Sequence, residues 1–458
     1  MNVSNLELSL VQKVNNSTST LDTLIYSKTL QELKTGTVTT VDTYAQLPAP
    51  SASLVGYLYF VKNQEKLYHA ILSSSGSYIW IDLDKNKYGL FTWGNNFAGE
   101  LGLSDRTTRQ TPTKIDSTVN SWCAISAGRT SAGIKSDGTL WTWGCGVNGI
   151  LGNSTSSGDR SSPGTAGGAV TSWLSVCTTR LSAGAISLHA TLGRRLYVWG
   201  QNNYGQLGTG DTSGRCSPTD IQSFCQFSMG YGSSAGVDTS GNLYTWGRNA
   251  YGQLANGNTV NQSTPVLISS GWTQVAVGLK AMAAIKTNGT LWTWGRNFYG
   301  QLGDNSTTDR TSPGTTVAGG TNWCAVSGPG EGSGLTAAFA AIKTDGTLWT
   351  WGKNTCGVLG DGTTTDRSSP VTVFGGGTTW CAVSMGGTAA LALKTDGTLW
   401  SWGNNACGVL GDPTIPIIPQ NSRCVPAQVC KNITTWTKIS AGADSGGFCN
   451  SSAAISSI

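Results

Sequence analysis

Ala284-Ile285-Lys286-Thr287-Asn288-Gly289-Thr290-Leu291-Trp292-Thr293-Trp294-Gly295 decides the fold. Two runs of alternating apolar and polar residues flank Asn288-Gly289. That dipeptide suits a tight hairpin, because a type I′ turn needs positive φ at both central positions. Asp137-Gly138, Asp345-Gly346 and Asp396-Gly397 occupy the same place in similar stretches. The unit is therefore repeated, and repeats have to be mapped before domains are counted.

Trp-Gly recurs at Trp93, Trp143, Trp199, Trp246, Trp294, Trp351 and Trp402. By subtraction the intervals are 50, 56, 47, 48, 57 and 51 residues, enough for a four-stranded blade with its loops. An Asn follows at Asn96, Asn202, Asn249, Asn297, Asn354 and Asn405, then Leu-Gly ending at Gly102, Gly152, Gly208, Gly303, Gly360 and Gly411, with Ala255 the variant. A proline comes next at Pro112, Pro163, Pro218, Pro265, Pro313, Pro370 and Pro426, and then an innermost strand such as Trp323-Cys324-Ala325-Val326-Ser327. The first repeat begins midway, at Tyr88 to Gly94, and the last stops midway, after Ile439 to Gly442 and Ala453 to Ile455. Each end supplies what the other lacks. The expected fold is all-β: a seven-bladed β-propeller closed by N- and C-terminal strands.

These units resemble the regulator of chromosome condensation repeat family, whose Trp-Gly-x-Asn-x-x-Gly-Gln-Leu-Gly pattern is matched best at Trp294 to Gly303 and Trp199 to Gly208. The resemblance covers about four fifths of the chain and implies the propeller fold. It leaves the use of the propeller open, since one fold hosts many functions. Eukaryotic founders often carry a histidine in the strand after the Ala-Gly or Cys-Gly turn. Here that region reads Gly128 to Ala132 and Gly386 to Ala390, which argues against nucleotide exchange.

The 458 residues carry 62 glycines and 18 tryptophans but only 12% charged residues, as expected of many short strands joined by tight turns. A formal charge of +5 falls short of the basic stripe of a nucleic-acid binder, so no sequence-specific nucleic acid is expected. No signal peptide, transmembrane segment or membrane insertion is expected either. Two histidines, His69 and His189, exclude most zinc sites and catalytic triads, so no metal, cofactor or enzymatic activity is expected. His189 reads as part of a rebuilt hairpin, with a ligand contact as the alternative. Gly328 to Gly334 lacks the Lys-Ser/Thr of a phosphate loop and reads as a flexible insertion. Most of the twelve cysteines are expected as free thiols. Cys123, Cys324 and Cys381 would fill small buried niches, and Cys424 with Cys430 would be the exception if any pair forms.

Arg109, Arg160, Arg215, Arg310, Arg367 and Arg423 stand three residues before the repeat proline. They would either hold loop carbonyls and the neighbouring Asp159, Asp309 and Asp366, or form an anion-binding face. Phe97, Tyr204, Tyr251 and Tyr299 share a second loop position; the tyrosines would pack on the next blade or stack on sugars.

Residues 1–40 read as a helical attachment or oligomerisation segment opened by the capping box Ser4 to Glu7, and 41–87 as a small β-meander before the propeller at 88–458. The order Tyr44-Ala45-Gln46-Leu47-Pro48, Gly56 to Val61, Leu67-Tyr68 and Trp80 looks like modules of bacteriophage tail fibres and appendages. The expectation is accordingly a virion structural protein assembled in the host cytoplasm. Residues 1–87 would join other virion proteins, the propeller would meet a host-surface glycan or protein, and the chain would form a homo-oligomer, a trimer being one form. A cellular adaptor or guanine-nucleotide exchange factor is the alternative.

Overall fold

The computed structural model describes residues 39–41, 47, 49, 58–61, 66–72, 78–82, 88–115, 121–166, 170, 172–189, 191–330, 337–417, 421–442 and 451–457. The two helical runs expected within 1–40 lie outside these residues. The chain divides into two compact units that part between Tyr88 and Gly89.

The first unit contains a four-stranded sheet. Leu58–Val61 pairs antiparallel with Lys66–Leu72, which pairs with Tyr78–Asp82, as the meander required. Thr39–Val41 adds a fourth strand, parallel to Leu58–Val61, so the sheet begins earlier than residue 41 and is not a pure meander.

The second unit consists of seven four-stranded sheets, termed blades I to VII in chain order of their first strands. Blade IV is typical: Trp272–Val277, Ala281–Lys286, Leu291–Gly295 and Arg310–Thr315 run in sequence order as an antiparallel meander. Blade VII is built from both ends of the unit, with Trp436–Ala441 and Ser451–Ser457 beside Tyr88–Gly94 and Arg109–Lys114. The first strands, from Trp122–Ser126 of blade I to Trp436–Ala441 of blade VII, touch one another in turn, and the last touches the first. They form the inner wall of a closed ring, while the prolines sit in the outermost strands, where a missing N–H costs no ladder bond.

Three repeated side-chain contacts hold the ring. Each anchor tryptophan is fully buried and its Nε1 donates to a carbonyl of the preceding blade: Trp143 to Glu100, Trp199 to Ile150, Trp246 to Gln206, Trp294 to Gln253, Trp351 to Gln301, Trp402 to Val358 and Trp93 to Val409. The glycine of Leu-Gly makes room for it: a Cβ on Gly303, at φ +62°, would lie 3.0 Å from the Trp351 ring. Nearer the axis, the serine at the end of a blade's inner strand accepts a backbone N–H from the end of the next blade's inner strand. Ser327 serves Met385, Ser384 serves Ala441, and Ser440 serves Ala127 across the seam. Within six of the seven repeats, all but that of Trp143, the Asn after Trp-Gly is fully buried. Its Oδ1 accepts the N–H of the repeat leucine, and its Nδ2 donates to the following loop, as Asn297 does to Leu302 and Ser306.

Ten of the described cysteines are free thiols, as expected, but two of the recurrent ones sit differently from the expected niche. Pairing jumps from Trp323–Lys343 to Ala325–Ile342, so Cys324 is the extra residue of a bulge and is exposed; Cys381 is its counterpart. They fill no buried niche. Cys424 and Cys430 are both free, and among the described residues Cys407 is disulfide-bonded.

Candidate binding face

In each blade the third strand ends beside the start of the second. The loop joining strands one and two therefore lies on the same face of the disc as the loop joining strands three and four. Ala281 opposes Gly295 in blade IV, and Arg296 N donates to Lys280 O at 2.9 Å. Glycine is required at this end: Gly295 has φ +100°, and a Cβ there would approach Lys280 O to 2.6 Å. The Trp-Gly motif thus brings the residue after it against the loop between strands one and two.

That following residue is Arg248 in blade III, Arg296 in blade IV and Lys353 in blade V. Each lies over a tyrosine of the preceding blade: Arg248 is 5.0 Å from the Tyr204 ring centroid, Arg296 is 4.8 Å from Tyr251, and Lys353 is 4.0 Å from Tyr299. Lys280 adds a second cation 5.0 Å from Tyr251. Each tyrosine is set by the repeat glutamine, whose Oε1 accepts its backbone N–H: Gln206 for Tyr204, Gln253 for Tyr251 and Gln301 for Tyr299. The result is an arc of alternating cations and rings over four consecutive blades. Arg248, Lys280 and Arg296 make no ion pair with a carboxylate among the described residues, and Phe298 beside them is 62% exposed.

The tyrosines therefore do pack on the next blade, and with cations. Phe97 falls one residue short of their position. It is the counterpart of Phe298 and is exposed like it, at 69%.

The six arginines do not form a free anion-binding circle. Arg109 pairs with Asp105, Arg215 with Asp211, Arg310 with Asp304, Arg367 with Asp361 and Arg423 with Asp412. The adjacent aspartates are not the partners. Asp309 and Asp366 instead accept the backbone N–H of Asn297 and Asn354, because the loop folds back on the end of the third strand. Asp159 accepts from Gly146 N and meets Arg106. Arg160 stands apart: it makes no such pair among the described residues, and its Nη1 is buried without a hydrogen-bond partner.

His189 Nδ1 faces the N–H groups of Thr191 and Leu192 at 3.3 Å, which places it in its own hairpin turn. Of the glycine-rich stretch, Gly330 bonds to Val277 O and accepts from Tyr231 N, tying blade V to blades III and IV.

On the opposite face a different cation repeat appears, which the sequence reading missed. Lys135, Lys286, Lys343 and Lys394 each lie over two tryptophans, one from the first strand and one from the third; Lys286 is 4.9 Å from Trp272 and 4.4 Å from Trp292. The third-strand tryptophan donates to the turn threonine, which donates to the turn Asp or Asn, as in Trp292–Thr290–Asn288. The recurrence of Lys before (Thr/Ser)-(Asn/Asp)-Gly-Thr-Leu-Trp was available as a signal.

The repeat model described as "Regulator of chromosome condensation (RCC1) repeat" matches residues 89–133, 195–237, 240–285, 288–328, 345–393 and 396–448. The chain belongs to the RCC1 repeat family. An X-linked retinitis pigmentosa GTPase regulator homolog of Caenorhabditis elegans is 41% identical over 75 residues, 16% of this chain and 5% of that protein. The protein RCC2 homolog of Danio rerio is 33% identical over 122 residues, 26% of this chain and 23% of the relative. These matches span less than a quarter of either relative's length. Among solved structures, human WBSCR16 superimposes with a TM-score of 0.67 at 19% identity, covering 81% of this chain and 98% of the other. Prp20p of Saccharomyces cerevisiae, in a study of its binding to Gsp1p and histones, gives 0.66 at 18% identity, covering 81% and 92%. Both likenesses establish the fold.

Proposed function

We propose that this propeller is a non-enzymatic binding body, an adaptor of cellular type that engages an acidic protein partner through the cation–tyrosine arc of blades II to V. The observation that carries this reading is the uncompensated charge of Arg248, Lys280 and Arg296 next to exposed Phe298. Charges of one sign held on a rigid frame steer an oppositely charged partner, and an exposed aromatic among them supplies an apolar anchor. The arginines elsewhere on the loops are largely neutralised by aspartate, so the bias is local to the arc. The family supports a binding role, since the structures it resembles include a yeast RCC1 (Prp20) with Kap60 bound. The virion-appendage reading draws on residues 41 to 83, the Ser/Thr/Gly-rich low-charge composition and the expected lack of a signal peptide, and neither the fold nor these relatives adds support to it.

Fluorescence anisotropy with a labelled poly-glutamate peptide tests the proposal. Saturable binding is expected, weakening with salt and falling at least about tenfold in the double variant Arg248→Gln, Arg296→Gln. Binding that ignores both substitutions would defeat it. Nucleotide exchange is the second reading, favoured by the 41% identity with the GTPase regulator homolog. Faster release of labelled GDP from Gsp1p on adding this chain would promote it.

A further inference from the structure

Between blades IV and V, on the face of the arc, lies a small open surface cleft walled by Leu279, Lys280, Arg296, Tyr299, Gln301 and Phe339, among others. Its lining includes the cationic residues Lys280 and Arg296, whose charged ends rest on the ring of Tyr251, and the phenol-bearing Tyr299. The Oε1 of buried Gln301 is used on Tyr299 N, which leaves its Nε2 amide as the group free to donate. Among the described residues, no carboxylate lines the cleft. Lys280 and Arg296 share the ring of Tyr251, and the hydrogen bond from Arg296 N to Lys280 O locks the two backbones together. Two like charges are thus fixed beside one another with no acid between them, an arrangement that an incoming anion relieves.

We infer that this cleft is a socket for a phosphoryl group carried on a partner protein's side chain. The inference rests on the adaptor reading above and narrows it to one chemical class. A phosphoserine brings a charge of about −1.5 to −2 and three acceptor oxygens. That charge is close to the two of Lys280 and Arg296, and the oxygens can meet the fork of Arg296, the ammonium of Lys280 and the amide of Gln301 at once. A single carboxylate balances half the charge and has two oxygens for these donors. Leu279 and Phe339 provide an apolar wall for the residue next to the phosphoserine. Gln301 and Phe339 are themselves buried, so the floor of the socket is preformed.

Isothermal titration of the full chain with three versions of one nonapeptide decides the matter. The central residue is phosphoserine, glutamate or serine, each followed by leucine. The phosphoserine peptide is expected to bind at least tenfold tighter than the glutamate peptide, and inorganic phosphate is expected to displace it. Arg296→Gln and Lys280→Gln should each erase that preference, while Lys114→Gln should leave it intact. Unchanged urea midpoints would show that the variants remain folded. Equal binding of the glutamate and phosphoserine peptides would overturn the socket while sparing the acidic-partner reading. Absence of binding by the phosphoserine peptide and by inorganic phosphate would overturn it too, and failure with poly-glutamate as well would remove both. A preference that survives Arg296→Gln would place the phosphate elsewhere.

Discussion

Trp93 Nε1 donates a 2.8 Å hydrogen bond to the carbonyl of Val409, 316 positions further along the chain. It is the same contact that every other anchor tryptophan makes to its preceding blade, here made across the seam between the two ends of the propeller. The strands from the two ends that share blade VII are thus tied to blade VI by the contact used at every other blade interface.

Trp93→Phe keeps a large aromatic in the buried site but removes one of two donors to the Val409 carbonyl, the other being the Ser452 hydroxyl. Losing one hydrogen bond while the carbonyl keeps another costs about 0.5–1.5 kcal/mol, and the smaller ring adds a packing loss. Urea unfolding should show a destabilisation in that range. Trp246→Phe, at an internal interface, should show a similar one if seam and interior are equivalent, because Trp246 makes the same bond to Gln206 O.

Lys286 is clamped between Trp272 and Trp292 on the face opposite the arc. Lys286→Met keeps the length of the side chain and removes its charge, so the expected cost is that of a partly desolvated cation–π contact, about 0.5–2 kcal/mol. Lys286→Arg should recover most of it. Urea midpoints of the three proteins provide the comparison.

Asp361 pairs with Arg367 in the loop of blade V. Burial raises its pKa, but hydrogen bonds from Thr363 and Arg367 outweigh burial, and the carboxyl sits below its ordinary value. A depressed carboxyl means that the unfolded chain binds more protons, so this stabilisation is complete above about pH 4 and fades as the pH falls through the lower, folded-state pKa. Asp361→Asn should be less stable than the parent at pH 6. The gap should narrow steadily below pH 4 in urea titrations run at successive pH values.

The frame was legible because its determinants are local and repeated. Trp294-Gly295 does one thing in every blade and Asn297 one thing in six of the seven, and the half repeats at Tyr88 and Ile455 could be matched by register alone. The partners of the arginines were not legible. Arg310 chooses Asp304 over the adjacent Asp309 because Asp309 is engaged by Asn297 N, a bond that exists only after the loop has folded back. The arc was hidden for a different reason. Arg296 gains its meaning from Tyr251 in the neighbouring blade, and the residue after Trp-Gly is basic in blades III to V only, so repetition did not flag it. The cysteine of Trp-Cys-Ala misled because a recurrent small residue suggests a buried niche, whereas the bulge turns Cys324 out of the ladder.

Tyr251 is the ring on which Arg296 and Lys280 both rest, so its removal separates positioning of charge from charge itself. In Tyr251→Ala the net charge is unchanged, yet the two cations lose a platform worth about 0.5–2 kcal/mol for such contacts and regain rotamer freedom that an anion must freeze again. Anisotropy with labelled poly-glutamate should therefore show a loss of about threefold to tenfold. Tyr251→Phe preserves the ring face and should bind as the parent does. The backbone hydrogen bond from Tyr251 N to Gln253 is available to all three proteins, so the loop keeps its course. If Tyr251→Ala bound as tightly as the parent, the arc would act through net charge alone, and the stacking geometry would have no part in recognition.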